Sequence, residues 1–147
     1  MSTHTTSPVL SPPAAEPVVA LDQRVRWALL GDGALATVLG LGGLLTGHLQ
    51  AQWTGLPPEL HLAASVGLLP YAVRALQTGR GRTARTGRLS TLLVINVVYA
   101  VTAAALLVNG WLEPTVLGTA LLVSYIAVPG AVGACIAATL RRGTAAR

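Results

Sequence analysis

Six side chains of this 147-residue chain stand out against its apolar runs: Asp32, Tyr71, Arg74, Asn96, Tyr99 and Tyr125. Asp32 lies five residues past Trp27, about 7 Å inside the first apolar run at helical rise. An acid at that depth in a membrane is costly unless it is paired, protonated or wetted, which makes it a candidate for function. Arg74 reaches a similar depth on the next, antiparallel run and is the expected partner of Asp32. A buried pair of this kind could bind an anionic group or control a path. Asn96 and Tyr99 lie one turn apart on the third run and share a face. Tyr71 and Tyr125 fall at comparable depths on the second and fourth. Together the six could line a polar cavity in the inner half of a helix bundle. The structural alternative is that they only hydrogen-bond helix to helix, with Arg74 snorkelling to the headgroups.

Other reactive types are sparse. His48 and His61 flank one connection and could meet across it, but two histidines without a third ligand make no metal site. Cys135, the single cysteine, cannot close an internal disulfide and reads as a small packing residue. There is no Ser-His-Asp grouping, CxxC pair, HExxH or phosphate-binding glycine loop. No cofactor and no catalytic residue are therefore expected. Pro70 and Pro129 should interrupt the second and fourth runs and free the carbonyls of Val66 and Tyr125. Pro129-Gly130 is the stronger hinge.

These residues need elements to hold them. Apolar runs without period-two alternation predict four transmembrane helices, over about 27–48, 59–77, 89–108 and 114–140. The connections are short, so neighbours should pack antiparallel, giving an all-α bundle. All ten basic residues are arginines. Arg24 and Arg26 precede the first run. Arg74, Arg80, Arg82, Arg85 and Arg88 lie between the second and third, and Arg141, Arg142 and Arg147 follow the fourth. The other two connections, 50–59 and 109–114, contain none. This one-sided pattern predicts both termini in the cytoplasm. Trp27 at the inner boundary, and Trp53 and Trp111 at the outer one, agree with it. Residues 1–22 carry four prolines and no period, which predicts a disordered cytoplasmic tail without a cleavable signal peptide. Residues 143–147 form a short second tail.

The net charge of +5 sits at the ends of apolar segments, not on one soluble face. Anionic lipid headgroups are therefore the expected partners of Arg24, Arg26, Arg80, Arg82, Arg85, Arg88, Arg141 and Arg142. Nucleic acid is not, for base-stacking aromatics are missing. Small residues at four-residue spacing (Gly43 and Gly47; Gly33 and Thr37; Ala36 and Gly40; Gly130, Ala134 and Ala138; Gly133 and Ala137) predict close helix contacts. They fit a partner helix in the same chain, a second copy or another membrane protein equally well. Absence of Lys and Phe, with abundant Ala, Gly, Leu and Arg, points to a GC-rich bacterial genome.

Asn96, Asn109-Gly110-Trp111, Pro114-Thr115 and Leu117-Gly118, with an Asp near the start of the first helix, resemble small four-helix bacterial inner-membrane proteins. The likeness covers about residues 25–142. It implies fold and location and carries over no catalytic residue. Chain size and a carboxylate in the first helix also resemble small multidrug resistance transporters, where a Glu there serves proton and substrate in a dimer. Here the acid is an Asp near the inner boundary, and the arginines favour one orientation, so that likeness is only an analogy. The function expected is that of an accessory, binding or scaffolding membrane protein. The alternative is a small oligomeric transporter or channel built on Asp32 and Arg74.

Overall fold

The structure, a computed structural model, describes residues 16–110 and 112–145. Residues 1–15, where most of the expected tail falls, lie outside them, as do Trp111 and Arg147. Four helices make up the body: α1 (Gln23–Thr54), α2 (Pro58–Arg80), α3 (Thr86–Val108) and α4 (Val116–Ala145). Three stretches, Gln23–Thr54, Thr86–Val108 and Val116–Gly143, are long and apolar enough to cross a membrane. The outward surface of their middle turns is apolar and includes Val38, Leu41, Val94, Val97, Val101 and Val123.

Local chemistry sets the helix ends. Asp22 caps α1, its carboxylate accepting the Val25 N–H at 2.8 Å. Gly55 ends that helix in the left-handed region at φ 68°, where a side chain would be strained. Pro58 opens α2, with Glu59 in its first turn by the positive end of the dipole. Thr115 heads α4: its hydroxyl accepts the Gly118 N–H and donates to the Trp53 carbonyl, tying α4 to the end of α1.

The bundle is a ring in the order α2, α1, α4, α3, with a splayed seam between α3 and α2. The α1–α2 seam is the tightest. Gly33 packs against Leu76, Gly40 against Leu69, Gly43 against Ser65, and Gly47 against His61. Residue numbers rise along α1 as they fall along α2, so the pair is antiparallel. The small-residue ridge of α1 therefore serves this chain's own second helix. On α4, Gly133 meets Leu93 and Asn96 of α3, whereas Gly130, Ala134 and Ala138 face outward.

Two features differ from the sequence reading. Val18–Ala20, placed in the disordered tail, forms strand β1, which pairs antiparallel with β2 (Thr83–Arg85) in the arginine-rich connection. Val19, Leu21 and Ala84 are buried there. The Glu16 carboxylate accepts the Gly87 N–H at 2.6 Å and so caps α3, which has no side-chain cap of its own. The second difference is the break in α1. The helix runs on unbroken through Pro70 in α2 and Pro129 in α4, while Thr46 in α1 takes non-helical angles. The Thr46 hydroxyl donates to the Gly42 carbonyl at 2.8 Å and accepts from Gln50 Nε2 at 3.2 Å. Back-bonding of this kind bends helices.

Candidate functional site

Asp32 sits on the inward face of α1, 8% exposed, with Gly33 and Ala36 beside it. Facing it from α2, the Tyr71 hydroxyl donates to Asp32 Oδ2. From α3, Asn96 Nδ2 donates to the Tyr71 oxygen at 2.8 Å and to its own helix at the Leu92 carbonyl, 2.9 Å. Three helices are joined through these three side chains.

Asp32, Tyr71, Asn96, Tyr99 and Tyr125 line one cavity, together with Ser124 and Pro129. Five of the six expected residues thus converge. The cavity measures about 30 Å³, the share of liquid volume of one water molecule. Arg74 is the exception. It is exposed on the outside of α2 and forms no ion pair among the described residues. Three residues past Tyr71 on a 100° helical step, it is turned off the inward face that Tyr71 and Ala75 share. The pair expected between Asp32 and Arg74 is not made: a tyrosine hydroxyl takes the carboxylate.

A second, larger space lies in the splayed seam between α2 and α3. It holds about 340 Å³ and is walled by Leu60, Ala64, Val98, Ala103, Leu106 and Leu122, with Tyr99 and Tyr125 separating it from the Asp32 cavity. Tyr99 keeps the seam joined: its hydroxyl reaches across to the Ala64 carbonyl at 3.1 Å, over Gly67, where a Cβ would collide with it.

His61, which the sequence pointed to only as a weak metal candidate, borders this pocket. Its partner is not His48, which is exposed, but Thr54. The Thr54 hydroxyl donates to the Gln50 carbonyl at 2.7 Å, so its one proton is committed. His61 Nε2, 2.9 Å from the same oxygen, must therefore be the protonated nitrogen and donate. Thr54 Oγ1 also accepts the Leu56 N–H at 3.3 Å. Reading α1 to Thr54 instead of His48 was the missing step. The signal for it was Gly55 followed by Pro57-Pro58, a helix stop.

The arginines sit together at the opposite end from Gly55. Arg24, Arg80, Arg82, Arg85 and Arg88 are exposed around the β1–β2 ribbon. Arg26 Nε donates to the Gly79 carbonyl at 3.2 Å, and Arg142 lies 3.7 Å from Asp22, both partners solvent-facing. Arg141, also exposed, is next to it. Among the described residues no three His, Cys, Asp or Glu side chains come close enough to hold a metal. Comparison with protein-family models, curated proteins and solved structures returns no match, so the site has to be read from its own geometry.

Proposed function

We propose that the chain is a four-span protein of the bacterial cytoplasmic membrane, with both termini in the cytoplasm, that binds a lipophilic small molecule in the seam between α2 and α3. The role is that of a binding or accessory protein and not of an enzyme. The observation that carries the binding role is the lateral pocket itself, a 340 Å³ space opening on an apolar flank of the bundle. Sites of this kind, mostly apolar with a few placed polar groups, are the usual form of a small-molecule site.

The fourth span is α2, the least apolar helix. Its 23 residues cover about 34 Å at helical rise, enough for a hydrocarbon core of about 30 Å. Its polar residues His61, Ser65, Tyr71 and Thr78 point inward, while Leu62, Val66 and Val73 point out. A helix of that kind has low mean hydropathy yet presents hydrocarbon to lipid. The arginine end then faces anionic headgroups on the cytoplasmic side.

The test is saturable binding. Thymol methyl ether is titrated onto the protein in lipid nanodiscs while the methyl resonances of Ala103 and Leu122 are followed. Saturating shifts confined to the pocket are expected, and Val98→Trp at its exposed edge should abolish them. Shifts that never saturate, or that spread over all outward-facing methyls, would overturn the assignment.

A further inference from the structure

We infer that the small cavity beside Asp32 binds one alkali-metal cation, held by oxygen atoms from α1, α3 and α4. The site is separate from the α2–α3 pocket and does not depend on it.

The hydrogen-bond chain through Tyr71 has a fixed direction. The Leu92 carbonyl can only accept, so the Asn96 atom that meets it is the amide nitrogen. That nitrogen gives its other proton to the Tyr71 oxygen, and the Tyr71 proton goes on to Asp32 Oδ2. Two acceptors are left over, Asp32 Oδ1 and Asn96 Oδ1, with no donor among the described residues. Both side chains belong to residues more than nine-tenths buried, at 8% and 3% exposure. Among the described residues no fully enclosed side-chain oxygen or nitrogen lacks a partner, so both atoms open onto reachable space. The space that both residues line is this cavity.

Other oxygens of the wall have already given their protons away. Ser124 donates to the Leu121 carbonyl at 2.7 Å and Tyr99 to the Ala64 carbonyl, so each offers lone pairs. Pro129, also in the wall, has no N–H for the Tyr125 carbonyl one turn back. The Tyr125 hydroxyl does keep a proton without an acceptor among the described residues. A hydroxyl can coordinate through its oxygen and turn that proton away, here toward the α2–α3 pocket that Tyr125 also lines.

Charge decides what such a set takes. An ionised carboxylate in hydrocarbon needs a counter-charge. Asp32 forms no ion pair among the described residues, and Arg74 is turned outward. A water molecule would fit the volume but bring no charge. One carboxylate balances one monovalent cation, and hard cations take carboxylate, carbonyl and hydroxyl oxygens. About 30 Å³ admits an ion stripped of its water and excludes an organic cation such as choline.

Radioactive sodium, and rubidium as the stand-in for potassium, are titrated separately onto the full chain in a nonionic detergent. One of them is expected to saturate at one ion per chain and to be displaced by its unlabelled salt but not by choline chloride. Asp32→Asn should abolish binding. Ser124→Ala, which leaves the Tyr71–Asn96 chain intact, should weaken it about tenfold, as for one lost contact to a charged group. The bound ion should also raise the thermal unfolding midpoint above that in choline chloride of equal ionic strength. Failure of both ions to saturate, displacement by choline, or undiminished binding by Asp32→Asn overturns the site. If Asp32→Asn does not fold, unchanged affinity in Ser124→Ala overturns it instead. So does an infrared carboxylic-acid band that is present in the wild type and missing from Asp32→Asn, since a proton would then hold the place of the cation.

Discussion

Asp32 shows how far one residue's surroundings decide its role. Its depth was legible from residue counting, and so was its company: Tyr71, Asn96, Tyr99 and Tyr125 all border its cavity. Depth, however, is only one of two helical coordinates. Arg74 has the depth of a partner and the wrong azimuth, which a periodicity too weak to fix the inward face of α2 could not reveal. Tyr71→Phe removes two hydrogen bonds at once, those to Asp32 and from Asn96. It is expected to cost about 1–3 kcal/mol, since it leaves buried polar groups unmet. Arg74→Gln, at an exposed position, should stay within about 0.5 kcal/mol. Equilibrium unfolding in mixed micelles measures both. A larger loss for Arg74→Gln would reinstate the arginine as partner of the carboxylate. His61 carries the same lesson with the opposite sign. Its ring state is fixed by Thr54, a residue that the sequence reading had assigned to a loop.

At the scale of the element, the count of four helices and their approximate bounds could be read directly, and three of them are long and apolar enough to cross a membrane. The partner of each small-residue ridge could not, because spacing says nothing about which surface fills the gap. The ridge of α1 turns out to face α2. Gly43 is its tightest point, where a Cβ would meet Ser65 Oγ and the His61 carbonyl. Gly31, one turn before Leu35 on the outside of the same helix, has nothing within 4 Å. Gly43→Ala is expected to destabilise by about 1–3 kcal/mol as an overpacked contact. Gly31→Ala should be neutral or stabilising by up to about 1 kcal/mol, from helix propensity. Thermal unfolding of the two variants in one detergent decides it, and equal losses would mean that α1 and α2 do not meet along this ridge. Thr46 is the element-scale surprise. Prolines advertise a break, yet it is a threonine bonding back to Gly42 that takes the non-helical angles, and a single hydroxyl leaves no mark on a hydropathy profile.

For the whole molecule, the arginine pattern predicts orientation, and labelling tests it. In a Cys135→Ala background, Glu59→Cys and Thr83→Cys should react with a membrane-impermeant maleimide from opposite faces, Thr83→Cys only after the membrane is opened. Reaction of both from one face would sink the topology. The pairing of Val18–Ala20 with Thr83–Arg85 adds an order of events that no span prediction contains. The ribosome makes the first strand early and its complement some sixty residues later, several seconds on at ordinary elongation rates of about 5–20 residues per second. In that interval Val19 and Leu21 have no shelter, and α3 has not yet acquired the carboxylate at its start. The ribbon can close only when the α1–α2 hairpin has formed and brought Thr83–Arg85 back beside Val18–Ala20. A protein fused ahead of Glu16 would hang beside that closing seam, so a bulky leader there is expected to delay assembly more than the same bulk placed after Ala145.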